Sequence, residues 1–162
     1  MKKKAMPIVV LAADHAGYEI KVFVKSILED RGYQIEDMGT FSTESVDYPE
    51  YTEKLALQIV HHTNKVGILM CGTGIGASIA VNKIPGIRAA LVKSEQEAAL
   101  SVEHNKANVL VLGGRPFIRE EVRKIISRWF QAEFQGGRHQ RRVQQIEQIE
   151  AKYLQTNRSH SN

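Results

Sequence analysis

Five short segments of the chain read as strands: residues 7–13, 33–38, 66–71, 88–92 and 108–112. The first and third are unbroken apolar runs, as expected of strands buried on both faces. The segments between them repeat apolar residues at helical spacing. Residues 17–31 place Ile20, Val22, Phe23, Val24, Ile27 and Leu28 along a helix, with Gly32 as its terminating glycine. Residues 48–62 predict a helix with Pro49 in its first turn and Leu55 and Ile59 inward. A short helix is expected over 77–83, and one capped by Ser94 to about Glu103. A long amphipathic helix is expected over 117–134. Gly136 and Gly137 then break the pattern, and a last helix runs from Arg138 to about Leu154.

Strands that alternate with helices predict an α/β protein with a five-stranded parallel sheet covered on both faces. The 162 residues suit one domain, expected over 1–154, with residues 155–162 as a polar, frayed tail. Hydrophobic residues at 43% and charged residues at 25% exclude a disordered chain. No apolar run approaches the roughly 20 residues of a membrane helix, so no membrane partner is expected. The single cysteine, Cys71, excludes an intrachain disulfide and fits a reducing compartment, the cytoplasm. Lys2, Lys3 and Lys4 before an apolar run have the outline of a secretory leader. Pro7 within that run and Asp14-His15 directly after it favour a buried first strand instead.

The net charge is +4, and its distribution matters more than its size. Residues 115–142 hold eight basic and three acidic side chains, so this stretch carries the whole excess. It could meet a small anion; the total charge alone would suggest nucleic acid, but no nucleic-acid partner is expected. For Arg119, Arg123 and Arg128 a solvated helix face with snorkelling stems is the plainer expectation.

In parallel sheets, ligands bind beyond the carboxyl ends of the strands. Asp14-His15 follow the first predicted strand, Cys71-Gly72-Thr73-Gly74-Ile75-Gly76 end the third, and Gly113-Gly114-Arg115 end the fifth. His104-Asn105 close the helix before the fifth strand. The glycine loop between strand and helix can turn backbone N–H groups toward an anion. A Walker-type loop lacks its Gly-Lys-Ser/Thr ending, and a cysteine-phosphatase loop lacks its arginine, since Ala77 stands there. A dinucleotide fingerprint fits loosely through Gly72, Gly74 and Ala77, with Glu95 as the ribose acid. That keeps a nucleotide-binding oxidoreductase as an alternative. Cys71 is either an inert core residue or a reactive thiol beside the loop amides. His104 is either a helix-end residue or an acid–base group. Asp14 is either a helix cap or a ligand. His61, His62, His139 and His160 share no ligand-like spacing, so no metal site is expected.

The ordered set Asp14-His15, Asp47-Tyr48-Pro49, Cys71–Gly76, Ala80–Lys83, Gly86–Ala89, His104-Asn105, Asn108–Leu110 and Gly136–Gln140 resembles the B-type ribose-5-phosphate isomerases, which group with the galactose-6-phosphate isomerase subunits. The resemblance implies a three-layer α/β/α Rossmann-like domain and a cofactor-free interconversion of ribose 5-phosphate and ribulose 5-phosphate. It also implies a homodimer with shared active sites, and it leaves open whether dimers pair into tetramers. Cys71 then looks like the base that moves a proton between C1 and C2. Gly72, Thr73, Gly74, Ile75 and Gly76 would form the anion hole, with the Thr73 hydroxyl. His104 would open the sugar ring. Asp14 and Asn105 would hold sugar oxygens. His15, Arg115, Arg138 and Arg142 would bind phosphate, some of them from the neighbouring subunit. Because one chain carries the whole set, a self-sufficient homo-oligomer is expected. A six-carbon substrate, allose or galactose 6-phosphate, remains an alternative.

Elementary chemistry supports this reading. Proton transfer beside a carbonyl creates an enediolate, which needs preorganised donors next to a base. One loop could supply both. Arg138 and Arg142 are four apart on one predicted helix and so share a face, where two planar guanidinium forks suit phosphate oxygens. The stripe Val143, Ile146, Ile149 and Tyr153 on that helix covers either its own domain or a partner.

Overall fold

The computed structural model describes residues 5–159, with side chains through Leu154. Lys2 to Lys4 and His160 therefore lie outside the described residues. Five strands form the sheet: β1 (Ile8–Ala13), β2 (Ile35–Asp37), β3 (Lys65–Cys71), β4 (Ala89–Leu91) and β5 (Val109–Gly113). They are parallel in the order β2-β1-β3-β5-β4. Six helices separate or follow them: α1 (Tyr18–Asp30), α2 (Tyr48–Val60), α3 (Ile75–Val81), α4 (Glu95–Asn105), α5 (Arg119–Gln131) and α6 (Arg138–Ser159).

The strand alternation sorts the core into two layers. Val9, Leu11, Ala13, Ile68, Met70, Leu110 and Leu112 meet Ile20, Phe23, Val24 and Ile27 of α1, Ala98 of α4, and Val122, Ile125 and Trp129 of α5. Val10, Ala12, Leu69, Cys71, Val109 and Val111 point the other way, onto Leu55, Ala56 and Ile59 of α2 and Ala77 and Val81 of α3. Each fully buried Leu, Ile or Val contributes about 1.5–3 kcal/mol, so the central strands anchor the molecule. The sheet is thus covered on both faces, as its apolar runs require.

Local signals hold where the chemistry is local. Gly32, at φ 77°, ends α1, with Gly32 N–H donating to Glu29 O and Tyr33 N–H to Leu28 O. Ser94 caps α4 by accepting from Glu97 N–H at 3.2 Å, and Glu97 accepts in return from Lys93 N–H. Arg119 and Arg123 lay their guanidinium groups over the Phe23 ring, at 4.7 and 5.1 Å. Arg128 pairs with Glu103 at 3.4 Å. These three arginines cover apolar surface or neutralise a neighbour, as the snorkelling reading expected.

Several boundaries differ from expectation. Helix α3 begins at Ile75, so Gly76 is helical and the turn is shorter. Helix α5 spans 119–131 rather than 117–134, because Ile118 and Ala132 are both extended. After it, Gln135 N–H bonds back to Glu103 O, which stops the helix by turning the chain. Helix α6 continues to Ser159 instead of fraying after Leu154. Once a helix is nucleated, each further residue adds a hydrogen bond at little cost, so a polar tail can stay helical.

Candidate active site

The chain leaves β1 toward β2 on one side, then returns to β3 on the other. This reversal opens a cleft at the carboxyl ends of β1 and β3. Ala13 pairs with Met70, so Asp14 and Cys71 emerge side by side. Asp14 is buried, and one of its carboxylate oxygens accepts Gly17 N–H at 2.8 Å in the turn that leads into α1, whose cap residue is Gly17. His15 is half-buried. Its Nδ1 lies 3.2 Å from the Val46 N–H and 3.3 Å from the Val46 carbonyl, so the Val46 backbone holds the ring.

The glycine loop follows Cys71. Gly74 sits at φ 80°, a conformation that favours glycine, and a Cβ there would crowd the backbone of Leu112 and Gly113 at 3.2 and 3.3 Å. This turn aims Gly74 N–H at the Cys71 sulfur, 3.1 Å away. Cys71 is 4% exposed, at the edge of the α2/α3 core and in contact with the loop amide. The exposed Thr73 accepts Ile75 N–H on its hydroxyl at 3.2 Å. The first N–H groups of α3 follow, which no intrahelical acceptor satisfies. The turn after β5 is laced to this loop: Gly114 N–H donates to Cys71 O at 2.8 Å and Arg115 N–H to Gly72 O at 2.9 Å. Arg115 thereby stands over the loop, on a cavity of about 450 Å³ that Gly72, Thr73, Ile75 and Lys93 also line.

The other candidate residues gather elsewhere. Helix α4 runs antiparallel to the strands, so its last turn, with His104 and Asn105, lies near the amino end of the sheet, just before β5 begins. Gln135 N–H on Glu103 O brings the start of α6 to the same corner. There the His104 and His139 rings stack, with centroids 4.0 Å apart and planes 5° apart. Arg138 Nε–H donates to His139 Nε2 at 3.4 Å. Burial holds the His139 imidazole below the ordinary histidine range, and the positive charges of His104, Arg138 and Arg142 lower it further. His139 is buried, His104 half-buried, and Arg138 and Arg142 are exposed. The five residues of β5 rise about 13 Å from Val109, beside this corner, to Gly113, which pairs with Cys71. Within one chain, then, Asp14, His15, Cys71, Gly72–Gly76 and Arg115 form one cluster, and His104, Asn105, Arg138 and Arg142 form another at the opposite end of the sheet.

This arrangement has relatives. The family model described as Ribose/Galactose Isomerase matches residues 9–146. Ribose-5-phosphate isomerase B of Escherichia coli is 42% identical over 142 residues, which cover 88% of this chain and 95% of that protein. The structure of Clostridium thermocellum ribose-5-phosphate isomerase B is 46% identical, with a TM-score of 0.87, over 90% of this chain and 98% of that one. The chain belongs to the ribose/galactose isomerase family. Another solved family member, ribose-5-phosphate isomerase B from Mycoplasma genitalium with bound ribulose-5-phosphate, is 37% identical, with a TM-score of 0.84, over 88% of this chain and 95% of that one.

Sequence reasoning gave no role to three residues of this isomerase that the structure draws into the two clusters. Val46 holds His15 through its backbone, which no side-chain pattern can signal. Tyr48, at the start of α2, covers Gly76 so closely that a Cβ there would lie 2.7 Å from Tyr48 Cζ; its placement beside Pro49 was the available hint. His139 lacks a metal-ligand spacing, but its neighbours Arg138 and Arg142 were already singled out.

Proposed function

We propose that this protein interconverts ribose 5-phosphate and ribulose 5-phosphate through an enediolate, without a cofactor. The observation that carries the reading is the convergence of Asp14, His15 and the Cys71 glycine loop in the β1/β3 cleft, in a chain of the ribose/galactose isomerase family. Cys71, as thiolate, takes the proton from C2 of the open-chain aldose and returns it to C1. Amides of residues 72–76 and the Thr73 hydroxyl receive the charge that develops on the enediolate oxygens, where one preorganised donor contributes about 3–4 kcal/mol. His104 opens the furanose. Asp14 and Asn105 hold sugar hydroxyls, and His15, Arg115, Arg138 and Arg142 hold the phosphate.

The two clusters lie too far apart to serve one pentose phosphate within a single chain. We therefore infer a homodimer in which each site takes Cys71 from one copy and His104, Asn105, Arg138 and Arg142 from the other. Helix α6 supports a second copy. Its Val143 is buried against its own domain, and Glu147 pairs with Arg88. Ile146, Ile149, Tyr153 and Leu154 stay exposed along a groove of about 1020 Å³ shared with Ile87 and Leu91. Among the described residues no helix is long and apolar enough to cross a membrane, and with the lone cysteine this fits the proposed cytoplasmic location.

Incubating the purified protein with ribose 5-phosphate, without added metal or nucleotide, should yield the ketose. Cys71→Ala should lower turnover by about 10³-fold or more while the protein stays folded. Full turnover in that variant would overturn the assignment. Comparing rates on ribose, allose and galactose 6-phosphates sets the substrate size, a choice worth about 1–3 kcal/mol.

A further inference from the structure

The sulfur, the amides and the arginines account for proton transfer and phosphate binding, but not for the buried imidazole beneath His104. We propose that His139 is a positioning residue whose flat, neutral ring fixes the plane of the His104 imidazole and so governs opening of the sugar ring. The inference rests on the isomerase reading above and assigns a role to a residue that reading leaves idle.

The geometry carries it. His104 is on the last turn of α4, two residues before Lys106, whose left-handed backbone ends the helix. Its face lies flat on His139, 4.0 Å away and within 5° of parallel. His139 itself is 5% exposed, and its ring edge accepts Arg138 Nε–H on Nε2 at 3.4 Å. Because Nε2 accepts that hydrogen bond, the ring is neutral, with its proton on Nδ1. A neutral ring can stack on His104 in either charge state. A second imidazolium at that distance would oppose protonation of the first.

Ring opening needs that freedom. One proton leaves the anomeric hydroxyl and one arrives on the ring oxygen. The bond from C1 to the ring oxygen breaks with its electron pair on oxygen, which becomes the C4 hydroxyl, and C1 becomes the aldehyde. A group serving this exchange must hold one orientation while its own charge changes.

The two directions of the reaction separate this role from the rest. Ribose 5-phosphate is cyclic and must be opened, whereas ribulose 5-phosphate is already open, because its C5 oxygen carries the phosphate. In deuterated water, exchange of the C1 hydrogen of ribulose 5-phosphate reports enediolate formation alone. For His139→Ala we expect turnover of ribose 5-phosphate to fall about tenfold or more, with C1 exchange kept within about threefold of the parent. His139→Phe, which keeps a flat ring, should restore most of the lost turnover. Equal losses in both assays for both variants would mean a merely structural role and overturn the inference, as would no loss in either. If the parent protein neither turns over ribose 5-phosphate nor exchanges C1, the isomerase reading fails, and this inference with it.

Discussion

At the carboxyl end of the sheet the site is built from backbone, and at the amino end from side chains. Around Cys71 the important groups are amides: Gly74 N–H on sulfur, Ile75 N–H on Thr73, and Arg115 N–H on Gly72 O. They are fixed by a left-handed glycine and by strands buried on both faces. The His104 corner has no such frame. It consists of two stacked rings, flanking arginines and a chain turn pinned to Glu103. Under the proposed function the division follows two tasks, with His15 and Arg115 sharing the phosphate from the carboxyl end. An enediolate needs donors that do not reorganise as charge develops, which rigid amides provide. A phosphate needs strong, directional cations, which long arginines provide at the surface. On the proposed reading neither cluster suffices alone, and a second copy completes each site.

The largest effect is expected from splitting the clusters between chains. Cys71→Ala and His104→Ala dimers should each be nearly inactive. Dissociated and reassociated together, they should regain up to about one quarter of the parent activity, because half of the dimers are mixed and each mixed dimer keeps one intact site. If activity stays at the level of the separate variants, each site is drawn from one chain and the division proposed here is wrong.

Within the cationic cluster, Arg138→Ala or Arg142→Ala should raise KM for ribose 5-phosphate about 10- to 100-fold, the scale of a lost charge-assisted hydrogen bond. Arg141→Ala, exposed on another side of α6, should change KM less than about twofold. Steady-state kinetics on the three variants sharpens the contrast, and equal effects would mean the arginines act only through net charge.

The smallest effect concerns pH. The folded state holds the His139 imidazole below its ordinary range, so the unfolded chain binds more protons as pH falls through about 6.5. Stability should therefore decline on acidification over that range, and His139→Gln should flatten the decline. Thermal melts of both proteins from pH 7.5 to 5.5 would reveal it.

Much of this protein is legible in one dimension. Five strands and six helices follow from apolar runs, helical spacing, Gly32 and Ser94, because burial and capping act on neighbours in sequence. The pairing of the Cys71 sulfur with its loop amides is legible for the same reason, since they lie within six consecutive residues. What the tertiary structure alone decided is which ends meet. That His104 and Arg138 lie a strand length from Cys71 follows from the antiparallel course of α4 and from the turn that folds residue 135 back onto Glu103. That His139 lies under His104, and that Val46 holds His15, are contacts across 35 and 31 positions of the chain. No periodicity encodes such contacts, because they arise from packing between elements and not from spacing within one.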